Sequence, residues 1–199
     1  MVKKSFFCLI ITILSLSGCI AKSPKPVFKA MDITGAPWGE NFSLNDTQGN
    51  SITLASYRGK AVMLFFGYTH CPDECPDTMS KLNIVMHELG PSANHVQVLF
   101  ATVDPERDTS AVLAHWLHQF NPSFIGLEGT LAQMKKTAAD FHIFFSKHYD
   151  APGSKNYSVD HSDIIYVYDT KGRIRLAMPI TESSDDMTQD MKTLLSNPV

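Results

Sequence analysis

AVMLFFGYTHCPDECP, residues 61–76, runs from a continuous apolar stretch into two cysteines that three residues separate. Residues 61–66 predict a strand buried on both faces of a parallel or mixed sheet, because no position in the run is polar. Proline disfavours helical angles at the preceding residue and suits the first position of a helix. The sequence therefore predicts a helix that begins at Pro76, with Cys75 as its cap.

The position of the two cysteines predicts reactive sulfur chemistry. Both Cys71 and Cys75 lie at or before the N-terminus of this predicted helix. Unpaired backbone N–H groups at a helix start stabilise a thiolate, the form of cysteine that attacks disulfides and binds metals. Asp73 and Glu74 act against a thiolate, because a nearby carboxylate disfavours a second negative charge. A bound cation would relieve that repulsion.

The rest of the chain predicts an α/β fold. A small hairpin, residues 42–44 and 51–54, precedes the central strand, an arrangement typical of thioredoxin-like proteins. Periodicity and turn signals predict, in order, strand 96–103, helix 110–119, helix 127–140, an irregular segment 141–162, strands 164–168 and 174–178, and helix 184–195. We therefore expect a central mixed sheet flanked by helices, with a long loop before the last hairpin.

The N-terminus has the features of a targeting segment. Two lysines precede a short apolar run, and residues 16–19 (LSGC) resemble the bacterial lipobox. This predicts a lipoprotein signal peptide over residues 1–18, a tether over 19–31 lipidated at Cys19, and a folded domain over 32–199. An uncleaved anchor is the alternative, although the run is short against the roughly 20 residues that span a bilayer. Both interpretations place the domain outside the cytoplasm, on the periplasmic side of a bacterial membrane and tethered to it.

Composition and cysteine count agree with this interpretation. The chain has 199 residues, 44% of them hydrophobic, which permits one domain with a sizeable core. Its net charge of −3 gives no indication of a nucleic-acid partner. Of the four cysteines, Cys8 leaves with the signal peptide and Cys19 carries lipid, so Cys71 and Cys75 remain in the domain. They could form a disulfide in an oxidising compartment, but so small a loop contributes little stability.

One of the eight histidines is placed to join the cysteines. His161 follows the segment 141–162 and precedes a strand expected beside the cysteine strand, whereas His70 could be a ligand or form a turn. Two thiolates and one imidazole suit soft or borderline metal ions, and three ligands argue against a closed structural zinc site. Asp160 could orient the imidazole. Asp104, at the end of strand 96–103, is a second supporting carboxylate or a turn former.

Three motifs together resemble the Sco/SenC family of copper-binding assembly factors for cytochrome c oxidase. They are residues 67–76 (GYTHCPDECP), 103–109 (VDPERDT) and 159–162 (VDHS), in that order. The resemblance implies a thioredoxin-like fold in which Cys71, Cys75 and His161 bind Cu(I) or Cu(II). It also implies that the protein delivers copper to the Cu(A) centre of oxidase subunit II, reduces the cysteines of that centre, or does both.

Two functions of different classes remain open from the sequence. A metallochaperone would pass copper to subunit II or to another extracytoplasmic cuproprotein, and it needs both thiols reduced. A thiol-disulfide oxidoreductase would use Cys71 as the nucleophile and Cys75 as the resolving thiol. The three-residue spacing and the added histidine favour the metal, since that enzyme class usually has two residues between its cysteines. A thiol peroxidase fits the fold but has no separate support.

Overall fold

The apolar run of the opening segment forms the centre of the fold. The computed structural model describes residues 26–197. Its strands are β1 (Met31–Asp32), β2 (Leu44–Asp46), β3 (Ser51–Ile52), β4 (Ala61–Gly67), β5 (Val96–Thr102), β6 (Ile125–Glu128), β7 (Phe145–Tyr149), β8 (Tyr157–His161), β9 (Ile164–Tyr168) and β10 (Ile174–Pro179). Its α-helices are α1 (Glu74–Glu88), α2 (Ser110–His118), α3 (Leu131–Asp140) and α4 (Ser184–Ser196).

Eight of these strands make one mixed sheet, as the sequence predicts. The strand order is β1-β10-β9-β4-β5-β6-β2-β3. Strands β4, β5 and β6 are parallel, and the remaining pairs are antiparallel. Strand β4 lies in the interior of the sheet and is buried along its whole length. Its C-terminal end therefore lies near the middle of the row of strand ends on that side of the sheet.

Helices cover both faces of the sheet. Successive side chains of a strand point to opposite faces, so Phe65 and Phe66 belong to different halves of the core. The Phe65 ring lies 5.9 Å from that of Phe100, which in turn contacts Trp116 of α2. The Phe66 ring lies 5.4 Å from that of Phe141, the residue after α3. Helix α4 packs against α1.

The helix after β4 begins earlier than the sequence predicts. It starts at Glu74, with Asp73 as the cap, so Cys75 lies inside the first turn rather than at the cap position. Pro76 is therefore the third helical residue. The first four N–H groups of a helix have no partner within it, and a proline there gives up no hydrogen bond. The prolines therefore do not determine at which residue α1 starts.

The prediction of one helix over residues 127–140 is wrong at its beginning. Strand β6 takes residues up to Glu128, and α3 starts only after Thr130, whose side chain accepts a hydrogen bond from the N–H of Gln133. Gln133 in turn accepts from the Thr130 backbone, which completes a capping box. The four-residue strand exists because it pairs with β5, a contact that local periodicity does not encode.

The prediction of an irregular segment over residues 141–162 is also wrong. Strands β7 and β8 form a separate two-stranded antiparallel sheet whose register runs from Phe145 opposite His161 to Tyr149 opposite Tyr157. Most side chains of β7 are exposed or only partly buried, so the strand lacks an apolar pattern. The outcome places His161 at the end of a hydrogen-bonded strand.

The predictions for the signal peptide, for lipidated Cys19 and for most of the tether fall on residues 1–25, outside the described part of the chain. Within residues 26–197, no helix has the length and apolar character needed to cross a membrane.

Candidate metal centre

The structure brings the three predicted ligands together at the C-terminal end of β4. One donor atom each from Cys71, Cys75 and His161 lie within 4.8 Å of one another. The imidazole Nε2 is 3.4 Å from the Cys75 sulfur, although 86 positions separate the two residues. Both cysteines are free thiols, Cys75 fully buried and Cys71 partly exposed. The cluster therefore combines a protected sulfur with one that reaches the surface.

The sulfur of Cys75 is held where strand and helix approach closely. A Cβ built on Gly67, the last residue of β4, would lie 2.8 Å from this sulfur and 3.0 Å from the rings of Phe65 and Phe100. Only a residue without a side chain leaves room for the sulfur at this end of the strand. The first turn of α1 then directs Cys75 towards the sheet, which explains the Gly67 in the opening segment.

The two thiols differ in acidity. The hydrogen bond from Cys75, followed by those from His161 and from backbone N–H groups of the loop, lowers the pKa of Cys71 to about 3. One of those N–H groups is that of Cys75, which donates to the Cys71 sulfur at 3.4 Å. The same pairing, together with burial, raises the pKa of Cys75. Cys71 is thus the thiolate, as expected near a helix N-terminus, and Cys75 keeps its proton.

The imidazole is oriented with Nε2 towards the sulfurs. Nδ1 of His161 lies 3.2 Å from the backbone oxygen of Ser162, which can only accept, so Nδ1 carries the proton and donates. In the neutral imidazole Nε2 therefore carries no proton, and this nitrogen, which faces Cys75, can bind a metal ion. Burial acts to lower the pKa of His161, but hydrogen bonds to Cys71 and Ser162 and the charge of Asp163 outweigh it and raise the pKa.

Residues that the sequence analysis did not name complete the surroundings of the imidazole. The rings of Phe65 and Tyr68 contact it edge-on, at 5.8 and 5.9 Å between centroids. Asp163 lies 3.9 Å from Nδ1. The orienting role predicted for Asp160 therefore falls to Ser162 and Asp163, because Asp160 has no hydrogen bond or ion pair with His161 among the described residues. Alternation along β8 could have suggested this, since neighbouring positions point to opposite faces.

The other two candidates from the sequence lie outside the group of three donors. Asp104 is fully buried, and its carboxylate accepts hydrogen bonds from Arg107 and from the hydroxyl of Tyr157. His70 is half-exposed, with Nδ1 3.1 Å from the hydroxyl of Thr69. His70 thus belongs to the turn, whereas Asp104 supports the residues around the site.

A cavity of about 360 Å³ opens onto the cluster. Its lining includes Cys71, His161 and four acidic residues, namely Asp73, Glu74, Asp160 and Asp163. Negative charge from Asp163 raises the pKa of the Glu74 carboxyl, which indicates that these groups repel one another. Bound positive charge would reduce that repulsion, as the sequence analysis infers for Asp73 and Glu74.

The donor set fits a soft metal ion. Thiolate sulfur at about 2.3 Å and imidazole nitrogen at about 2.0 Å from one ion would lie roughly 3.5–4 Å from each other. The donor atoms here are within 4.8 Å, so small side-chain movements complete the site. Two sulfurs and a neutral imidazole suit copper or zinc better than magnesium or calcium, which take oxygen ligands. Glu74, His161 and Asp163 form a second, more exposed donor group that shares the same imidazole.

Comparison with known protein sequences agrees with this donor set. The model of a family described as SCO1/SenC matches residues 31–196. "Protein SCO2 homolog, mitochondrial" of Bos taurus is 40% identical over 152 residues, which cover 72% of this chain and 57% of the bovine protein. A SCO2-like protein of Rickettsia conorii is 30% identical over 154 residues, covering 77% of this chain and 75% of that one. The chain thus spans little more than half of its bovine relative.

Solved structures resemble this one in the same region. The structure of Bradyrhizobium japonicum ScoI with copper bound is similar with a TM-score of 0.70 and 34% sequence identity, covering 78% of this chain and 98% of that one. Together with the central mixed sheet and the helices on its two faces, this similarity confirms the thioredoxin-like fold class predicted from the sequence.

Proposed function

Since this chain belongs to the SCO1/SenC family, we propose that it binds one copper ion through Cys71, Cys75 and His161 and serves as a copper metallochaperone. The observation that carries the proposal is the convergence of these three donors, from segments 86 positions apart in the sequence, beside one cavity. Copper-bound relatives of the same fold support the choice of metal.

The chemistry of the two sulfurs determines how the chain would take up copper. Cys71 is ready to bind as a thiolate, whereas Cys75 must lose its proton when the metal enters. Two thiolates satisfy Cu(I), which is soft, and the imidazole adds a ligand that Cu(II) prefers. Because Cys71 is partly exposed, it is the ligand that an incoming or outgoing protein can reach first, so ligand exchange would begin there.

We infer the recipient from the family resemblance and the location from the lipobox-like residues 16–19. We propose that copper passes to the Cu(A) centre on subunit II of cytochrome c oxidase, or to another extracytoplasmic cuproprotein. Removal of residues 1–18 and lipidation of Cys19 would tether the domain, residues 32–199, to the periplasmic side of a bacterial membrane. The segment 19–31 would then act as the linker between lipid and domain.

A second candidate function is thiol-disulfide exchange, favoured by the asymmetry of the thiols. The Cys71 thiolate would attack a partner's disulfide, form a mixed disulfide and release one partner thiolate. Cys75, once deprotonated, would attack the Cys71 sulfur and release the second. The partner gains two electrons and this chain ends as the Cys71–Cys75 disulfide. Turnover of a mixed disulfide and a reduction potential in the range of cellular reductants would favour this reading.

Copper titration of the reduced protein tests the first proposal. We expect about one copper per chain, and we expect His161→Ala to weaken Cu(II) binding more than Cu(I) binding, because two thiolates already satisfy the softer ion. His148→Ala is the matched control, since His148 is exposed on the neighbouring strand β7. Equal affinities of His161→Ala and the parent for both ions would contradict the ligand assignment. In cells, an oxidase defect that added copper cures would favour delivery over thiol reduction.

A further inference from the structure

The hairpin β7–β8 packs on the domain through buried Val159 and also contacts the loop that follows β5. This hairpin forms its own two-stranded sheet and shares no strand pairing with the central one. On the β7 side, the ammonium group of Lys147 lies 2.6 Å from the Glu106 carboxylate. On the β8 side, the contacts are with Tyr157, the first residue of the strand, and they involve Asp104 and Arg107. The loop thus holds both strands.

Asp104, Arg107 and Tyr157 each contact the other two. The guanidinium of Arg107 donates through Nε to one oxygen of Asp104 and through Nη1 to the backbone oxygen of Tyr157 at 2.9 Å. The central carbon of the guanidinium also lies over the Tyr157 ring, 3.7 Å from its centroid. The hydroxyl of Tyr157 donates to the other oxygen of Asp104 at 2.9 Å. Both oxygens of one buried carboxylate are therefore used to fasten the same residue.

This arrangement bears on the histidine at the far end of the same strand. His161 is the last residue of β8. Only Ser162 and Asp163 separate it from the start of β9 in the central sheet. The imidazole is therefore fixed on one side by β9 and on the other by the strand that Tyr157 fastens. Arg107 also lies 5.7 Å from the centroid of Tyr68, whose ring contacts the imidazole. Arg107 is therefore linked to the imidazole in two ways, through β8, which it contacts at Tyr157, and through the ring of Tyr68.

We propose that Asp104 and Arg107 are positioning residues that latch β8 to the domain and so keep Nε2 of His161 beside the two sulfurs. The functional consequence rests on the proposed copper function. The third ligand, His161, would already be in position before copper binds. Without the latch, the hairpin would open locally, and part of the binding energy would be spent on closing it. The latch acts on His161 and not on the sulfurs, which α1 and β4 hold.

Hydrogen exchange of the reduced, copper-free protein tests the latch itself. In Arg107→Gln we expect the backbone amides of residues 157–161 to exchange faster by on the order of tenfold, while those of β4 and β5 stay as in the parent. Lys136→Gln is the matched control, because it removes a cation from an exposed ion pair on α3. Unchanged exchange over residues 157–161 in Arg107→Gln would overturn the inference.

Copper binding tests whether the latch acts through the histidine. We expect Arg107→Gln to weaken Cu(II) binding about tenfold in the parent, a loss typical of residues that orient a metal ligand. In a His161→Ala background the same change should cause no further loss, because the group it positions is gone. An equal loss in both backgrounds would overturn the inference. If the parent takes up no copper, the proposed function fails, and hydrogen exchange alone decides the latch.

Discussion

Replacing Gly67 by alanine should displace the sulfur of Cys75. The added methyl carbon would lie 2.8 Å from that sulfur and 3.0 Å from both Phe65 and Phe100. Unstrained contacts between heavy atoms are about 3.5–4.0 Å, so the sulfur or the strand must move by roughly 0.7 Å. Neither ring can yield easily, since both phenylalanines are fully buried. Cys75 is equally buried, but its sulfur is the nearest of the three contacts, so the largest shift falls on it.

Two effects of different size follow from this displacement. Overpacking of a buried site costs about 1–3 kcal/mol of unfolding free energy, because neighbouring side chains leave their preferred rotamers. Moving one sulfur away from the other two donors should weaken copper binding about tenfold, the loss expected when a metal ligand is misplaced. Denaturant titration of the copper-free protein measures the first effect, and competition with a copper chelator measures the second.

A second glycine provides the control. In Gly126→Ala the new carbon would lie 2.5 and 2.7 Å from two atoms of Leu113, so this variant is also overpacked. Gly126 is on β6, however, two strands away from β4. We expect it to lose stability and to keep the copper affinity of the parent. Parental affinity in Gly67→Ala, or an equal loss of affinity in both variants, would refute the reasoning.

Four further predictions concern stability. Burial and two neighbouring aspartates raise the pKa of Glu182 to about 7, above its unfolded value of about 4.3. The folded state then binds more protons between those values, so stability falls as the pH rises through this window. Glu182→Gln should be more stable than the parent by about 1 kcal/mol at pH 8 and no more stable at pH 4, as measured in urea. Asp169→Ala should cost about 3 kcal/mol or more in the same assay, because it leaves the buried guanidinium of Arg175 without its carboxylate. Lys136→Ala, which breaks an exposed pair, should cost less than about 0.5 kcal/mol. Thr130→Ala should lower the thermal midpoint through the loss of about 1 kcal/mol from its helix cap.

Sequence patterns were sufficient wherever the decisive contacts are local. The apolar run of residues 61–66 predicts β4 because a strand buried on both faces needs no polar position. The terminal hairpin and α4 were also predicted nearly to their observed ends, since turn residues and helical periodicity lie within one short window. Strands β6 and β8 gave no such signal. They are stable because β6 pairs with β5 and β8 with β7, and local periodicity does not identify these pairings.

The same distinction applies to the functional site, where local sequence identified some residues and tertiary packing placed the others. The spacing of Cys71 and Cys75, next to a predicted helix start, marked them from the sequence alone as candidate reactive sulfurs. Spacing left His161 as one candidate among several, and the family resemblance selected it. Only the tertiary structure decided that Ser162 and Asp163 orient the imidazole and that Arg107 fastens its strand. The reason is physical, because a sulfur at the end of a strand is placed by its own segment. An imidazole 86 positions away is placed by the packing of the whole sheet.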